Sequence, residues 1–304
     1  MALAVFGSPL RALIRLFAYG GLTLLLMPAQ AFAVLFDLRY KRTLPIWYHE
    51  RCCRILGFRV EVHGEQSTTH PTLYACNHVS YLDIMILGSL IEGSFVAKSE
   101  VARWPLFGWL ARLQRSVFIE RRGRKVARHR DELNQRLESG DDLILFPEGT
   151  SGDGNQVLPF KSALFSVAER RPHDRPLLVQ PVSIAYTRLD GVPMGRYLRP
   201  LFAWYGDMEL GSHLWQVAGL GWATVVVEFH SPVTIDAFGT RKMLSEYCQG
   251  QVTAGMSAAL SGRPQRPPLS AAADSPPRTP RDAPGRPGTP RDGPGTAGVP
   301  SSDI

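Results

Sequence analysis

The hydrophobic pattern divides the chain into three stretches. From Leu16 to Phe36 there is no charged residue, a run of 21 that is long enough to cross a hydrocarbon core as a helix. Gly20-Gly21 and Pro28 interrupt this run, so the pattern leaves open a straight span or a hydrophobic helix pair lying in one leaflet. Ala31-Phe32-Ala33 after Arg11 and Arg15 adds a third reading, a cleaved signal peptide, against which the early Pro28 counts. From residue 45 to about 261, short apolar runs alternate with helical patterns. Phe58 to Val62 alternates apolar and polar as a half-buried strand does, and Leu73–Cys76, Phe95–Lys98, Val117–Ile119, Leu143–Phe146, Leu177–Tyr186 and Thr224–Phe229 read as strands. Helices are expected near Tyr81 and over residues 124–137, 162–170 and 241–260. The alternation predicts an α/β core, a mixed, largely parallel sheet flanked by helices, with functional turns gathered at strand ends. Residues 262–304 hold 11 of the 24 prolines and a near-repeat beginning at Thr279 and Thr289, a composition that cannot bury enough surface to fold. The expected organisation is a membrane-anchoring segment over 1–44, a folded domain over 45–261 and a disordered tail over 262–304.

Charge narrows the partners. A formal net charge of +7 and a pI near 9.4 favour an anionic partner, either nucleic acid or an acidic lipid surface. The apolar amino-terminal run tips the choice to membrane, and the chain lacks the recognised motif or aromatic interleaving that nucleic acid would need. Arg11 and Arg15 precede the run, whereas Arg39, Lys41, Arg42, Arg51 and Arg54 follow it. The positive-inside rule then places the folded domain on the cytoplasmic side of an inner membrane, each nearby cation adding about 1 kcal/mol of attraction to anionic headgroups. Trp47 and Tyr48 suit the interface. Four cysteines show neither disulfide nor metal spacing, so no disulfide framework and no bound metal are expected.

The chemistry concentrates where the run Leu73 to Cys76 stops at Asn77-His78-Val79-Ser80-Tyr81-Leu82-Asp83. Residues five apart on one helix lie about 140° apart around its axis and do not meet. His78 must therefore precede the helix, with Asp83 reaching back from its first turn. A carboxylate that holds one imidazole nitrogen leaves the other free as a general base. Ser80 and Asp83 also fit a capping box, in which Asp83 only satisfies amides at a helix start; the two roles are compatible. A second turn, Pro147-Glu148-Gly149-Thr150, follows the strand ending at Phe146, and its glycine permits a positive φ or a close backbone approach. Lys161 precedes an expected helix, where amides and dipole favour an anion. Trp104 to Leu110 is dense in aromatics, as either core packing or an exposed apolar face that admits an acyl chain.

Asn77-His78-x-Ser80-x-x-Asp83, Phe146-Pro147-Glu148-Gly149-Thr150 and Val179-Gln180-Pro181-Val182, in this order, resemble the membrane-bound glycerolipid acyltransferases, specifically the 1-acyl-sn-glycerol-3-phosphate acyltransferase family. The resemblance covers roughly residues 70 to 190 and implies acyl transfer from acyl-coenzyme A or acyl carrier protein to the sn-2 hydroxyl of lysophosphatidic acid, without a cofactor. By that resemblance His78 is the base and Asp83 its orienting partner. Asn77, Ser80, Lys98, Arg121, Glu148, Gly149, Thr150, Lys161 and Pro181 are assigned to substrate binding. Arg121 falls where the family binds glycerol phosphate, a task suited to a planar guanidinium. Two positions depart from the family pattern: Arg115 stands where a glycine is common, and Ser151 where an arginine usually follows the Pro-Glu-Gly-Thr turn. These departures leave another lyso-lipid, such as lyso-ornithine lipid, open as the acceptor. A membrane-tethered lipid-binding module, with the His-Asp turn as a mere cap, is the alternative outside enzymology.

Overall fold

The computed structural model describes residues 7–104, 107–119 and 126–263; Arg121 and nearly all of the expected tail lie outside them. Ser8 caps the first helix by accepting from the Arg11 amide at 3.3 Å, and Pro9 sits in its first turn, where its missing N–H costs nothing. This helix, α1 (Pro9–Leu35), continues through Gly20-Gly21 and Pro28. The chain breaks instead after Phe36, and α2 (Tyr40–Leu56) runs back to a left-handed Gly57 at φ 84°, the usual glycine stop. The helix pair thus forms, but around residues 36–39 rather than inside the apolar run. Moreover α2 passes without interruption through residue 44, where the anchoring segment was expected to end.

Both helices dock on the rest of the molecule. Thr23 and Tyr48 share a hydrogen bond at 2.8 Å. Arg15 donates to the carbonyls of Ala218, Leu220 and Gly221 at 3.3, 2.8 and 3.1 Å, and Gln30 donates to those of Lys41 and Leu113 at 3.0 and 2.8 Å. The opposite face of α1 is bare: Phe17, Leu25 and Leu35 are 82%, 74% and 77% exposed.

In chain order follow β1 (Phe58–Gly64), β2 (Thr72–Cys76), α3 (Leu82–Gly88), β3 (Gly93–Lys98), α4 (Phe107–Leu113), β4 (Val117–Ile119), α5 (Val126–Glu138), β5 (Asp142–Leu145), β6 (Leu178–Leu189), β7 (Val192–Pro193), α6 (Leu210–Gly219), β8 (Ala223–Phe229), β9 (Val233–Thr234) and α7 (Arg241–Leu260). The sheet order is β1-β8-β6-β2-β5-β3-β4, with β7 and β9 also paired to β6. Every neighbouring pair along that order is parallel except β6 with β8, so the sheet is mixed and largely parallel. All of β2 is buried. Tyr74 and Cys76 face one core with Leu82 and Ile86, while Leu73 and Ala75 face another with Leu133, Phe165 and Cys248. A strand covered on both faces reads as a continuous apolar run.

Three further details differ from the sequence expectation. Residues 162–169 form a 3₁₀ helix rather than an α-helix. The amphipathic helix α6 has no counterpart in the strand-by-strand reading of the sequence. Proline in a strand points to an edge or bulge, yet β6 is central. Pro181 sits where the antiparallel ladder to β8 ends at Val182 and the one to β9 begins at Val179. Its carbonyl accepts from the His230 amide at 3.0 Å, so its absent N–H would have faced this gap between partners.

Arg115 adopts φ 62°, the left-handed conformation that makes glycine common at such turns. Its side chain pairs with buried Asp141, which Arg42 and Arg136 also contact at 2.6 and 3.2 Å. This cluster lies just before β4 and β5 begin, at the sheet edge opposite His78. Arg115 is therefore engaged with Asp141 at the edge of the sheet opposite His78, so of the two departures from the family pattern only Ser151 lies on the His78 side.

Candidate active site

Strands β2 and β5 run parallel, so both deliver their following turns to the same edge of the sheet. There the two motifs clasp each other. The His78 amide donates to Glu148 Oε1 at 3.0 Å, and the His78 carbonyl accepts from the Gly152 amide at 2.9 Å. The imidazole stacks on Phe146, ring centroids 4.0 Å apart at 17°. Backbone and ring plane are thus both fixed by the segment after β5.

Asp83 fixes the remaining rotation. It is fully buried, and its Oδ2 lies 2.9 Å from His78 Nδ1. The same oxygen accepts from the Val79 and Ser80 amides at 2.7 and 2.9 Å. The histidine–carboxylate pairing and the helix-start cap are therefore one arrangement. Because a carboxylate only accepts, Nδ1 carries the proton and Nε2 presents its lone pair outward. Oδ1 accepts from the Tyr186 hydroxyl at 2.8 Å. Nothing local in the sequence announced Tyr186; its place on the same face of β6 as Ile184, two residues earlier, was the available signal.

Several residues expected to bind substrate have other work. Asn77 is buried and exchanges two bonds with the Ile184 backbone, at 3.0 and 2.8 Å, so it sews the turn to β6 rather than facing a ligand. Ser80 is also fully buried, with its hydroxyl 3.4 Å from the Leu82 amide. Pro181 is in register with Ala75 inside the sheet, away from the mouth of the site. Glu148 is only 2% exposed and faces the His78 backbone instead of a glycerol hydroxyl. Gly149 takes φ 66° as its turn requires, and Thr150, Lys98 and Lys161 are exposed around the same edge. Ser151 donates to the Trp204 carbonyl, and Trp204 donates in turn to the Val79 carbonyl at 3.0 Å.

Burial pushes the Glu148 carboxyl from an ordinary 4.5 up to about 8, against the pull of the His78 and Leu158 amides. The folded state then holds this proton more tightly than the unfolded chain does. The Glu148 contribution to stability is therefore full below about pH 4.5, declines as pH rises towards 8, and is flat beyond. Glu148→Gln should remove that decline, worth on the order of 1 kcal/mol per pH unit. Unfolding midpoints of both proteins at pH 5 and pH 8 check this: the variant should gain relative to the parent at the higher pH, and parallel losses would contradict it.

His78 opens onto a cavity of about 280 Å³ walled by α1, α2, α3, β3, α4 and α6. It is apolar along Met27, Leu44, Tyr81, Met85, Phe95 and Leu110, and Gln30, His49 and Gln114 also line it. Leu113 and Gln114 precede β4, so this polar end lies at the sheet edge opposite His78. Trp104 and Trp109 are 41% and 63% exposed, and Trp104 lines the cavity beside Trp204. Trp104 and Trp109 are thus surface residues rather than core, while Pro105 and Leu106 of this stretch lie outside the described residues.

An apolar cavity beside a paired histidine and aspartate agrees with the comparisons with known proteins. The acyltransferase family profile matches residues 59–185. The lyso-ornithine lipid O-acyltransferase of Rhizobium meliloti is 42% identical over 265 residues, covering 84% of this chain and 91% of that protein. The 1-acyl-sn-glycerol-3-phosphate acyltransferase of Neisseria gonorrhoeae is 32% identical over 169 residues, covering 55% of this chain and 62% of that protein. In fold, the crystal structure of the 1-acyl-sn-glycerophosphate acyltransferase of Thermotoga maritima matches with a TM-score of 0.61 at 22% identity, over 84% of this chain and 99% of that one. With its paired motifs on one sheet edge and a relative matched over nearly its whole length, the chain belongs to the acyltransferase family that includes the lyso-ornithine lipid and 1-acyl-sn-glycerol-3-phosphate enzymes.

Proposed function

We propose that this protein transfers a fatty acyl group from an acyl thioester, carried by coenzyme A or acyl carrier protein, to the free hydroxyl of lyso-ornithine lipid. The observation that carries the reaction is the His78–Asp83 pair, 2.9 Å apart, at the mouth of the apolar cavity. Nε2 of His78 takes the hydroxyl proton as the oxygen attacks the thioester carbonyl. The new C–O bond forms, the C–S bond breaks, and the imidazolium returns the proton to the departing thiolate. Asp83 holds the imidazole and stabilises its charge. The thioester is already activated, so the step draws on no cofactor.

Two observations favour lyso-ornithine lipid over the lysophosphatidic acid that the motifs first suggested. The relative matched over 91% of its length carries that activity in its name. Ser151 stands where an arginine would meet phosphate, and its hydroxyl is used on the Trp204 carbonyl. Presenting equal concentrations of lyso-ornithine lipid and lysophosphatidic acid with one acyl thioester tests this choice. The acylated ornithine lipid should dominate, and phosphatidic acid as main product would return the acceptor to the phosphate class.

The bare face of α1, 27 residues long, together with Trp104 and Trp109, is read as membrane-embedded. Because α1 is bonded to the body near both ends, it lies along the domain instead of crossing alone, and the site opens at the lipid surface on the cytoplasmic side, where thioesters are made. The cavity takes the acyl chain, with Gln30 at its far end. Gln30→Ala should extend the cavity and shift product chains to greater length, at about 1–3 kcal/mol of stability from two lost hydrogen bonds. Mass spectrometry of products from mixed-length thioesters measures this; an unchanged distribution would remove Gln30 from the chain-length boundary.

A further inference from the structure

Asp83 is held from two directions. Its Oδ2 is saturated by His78 and two local amides, while Oδ1 has the Tyr186 hydroxyl at 2.8 Å. The residue reaches this position because β6 outruns β2. Their pairing ends at Cys76 with Val182, and β6 continues with Ile184 and Tyr186 on the same face, under the His78 turn. A break in register against β8 falls between Tyr186 and Arg188, the kind of bulge that re-aims a side chain beside a functional site. The ring is clamped flat against Phe202, centroids 5.3 Å apart at 10°, and edge-on to Phe58 at 6.2 Å. The phenol thus has little freedom except to point at Asp83.

We propose that Tyr186 is a positioning residue of the transfer step, its phenol holding the Asp83 carboxylate in the one orientation that aligns His78. The proposal rests on the His78–Asp83 reading given above. Burial and the Asp83 charge raise the phenol well above its ordinary range, so it stays a donor. The other titratable groups facing this pair are Cys53 on α2, Cys76 on β2, Tyr81 beside α3 and Glu148 after β5. The Cys76 and Cys53 thiols are pushed up by burial and stay protonated.

Tyr186→Phe keeps both ring contacts and removes only the donor. The deprotonated dyad loses a hydrogen bond, so its acid limb in the kcat–pH profile should move to higher pH. At the optimum kcat should fall about tenfold to a hundredfold with both KM values unchanged, the scale of one bond to a charged group. In an Asp83→Asn background the same change should add little, since the two act as one unit. A Tyr186→Phe profile superimposable on the parent, with loss only in thermal stability, would overturn the proposal. Should that variant fail to fold, 3-fluorotyrosine at position 186, isosteric and a stronger donor, should move the acid limb to lower pH, and an unmoved limb again overturns it. His78→Ala separates the two levels. An active His78→Ala protein removes the dyad reading, whereas an inactive one beside a parent-like Tyr186→Phe protein removes the Tyr186 proposal alone.

Discussion

His78→Ala is expected to lower acyl transfer by about 10²- to 10⁴-fold, the usual contribution of a positioned general base. The fold should survive. The two bonds that anchor this residue to the second motif use its backbone amide and carbonyl, which alanine retains. What disappears is the Nε2 lone pair and the stack on Phe146. Association with lipid vesicles should be unchanged, because the bare face of α1 lies elsewhere. Turnover, unfolding midpoint and vesicle binding measured together decide between readings. A protein that serves only to bind lipid would keep its function in this variant, whereas an acyltransferase loses turnover and little else.

Asp83→Asn is the second large expected effect, and the local geometry sets its size. In a serine-protease triad the same exchange costs about 10⁴ because the amide turns and imposes the wrong imidazole tautomer. Here the Val79 and Ser80 amides both aim at the Oδ2 position, so they retain the amide oxygen there and His78 Nδ1 can still donate. The tautomer persists and only the negative charge opposite the imidazolium is gone. The expected loss is therefore smaller, about 10²- to 10³-fold in kcat, with KM for the thioester unchanged. Stability should fall as well, by about 1–3 kcal/mol, since neutral amide replaces a carboxylate that served buried donors. Steady-state kinetics beside a denaturant titration check both numbers. A loss of stability with normal kcat would leave Asp83 as a helix cap and nothing more.

The distribution of what could be read in the sequence follows the range of the interactions. Strand periodicity and the five-residue spacing of His78 and Asp83 are local, and the strands β2 to β5 and the dyad appear where those patterns put them. Tyr186 stands 103 residues from its partner Asp83, and only the register of β6 against β2 brings them together. The same register converts Asn77 from an expected ligand contact into a bond to Ile184. Glu148 was legible as a motif residue, but its direction was not: a turn's residue types do not reveal whether a carboxylate faces outward or back on the preceding motif. Pro181 was misread because a proline signals a missing partner, and a central strand can lack one where two short partners meet. Gly20-Gly21 and Pro28 suggested a break that tertiary packing on α2 and α6 overrides. The cavity, finally, is built by five helices and a strand from distant parts of the chain, and no motif spacing reports its depth.

Direct, base-catalysed transfer to a lysolipid hydroxyl makes a sharp prediction for a single turnover. Detergent-solubilised protein would be mixed in excess with an acyl thioester labelled in the acyl group, with and without lyso-ornithine lipid, and both free thiol and labelled lipid followed in time. Thiol released only when acceptor is present, matched by O-acylated ornithine lipid and abolished by His78→Ala, is the expected result. Thiol released without acceptor, leaving the label on the protein, or no acylated lipid at all, would contradict it.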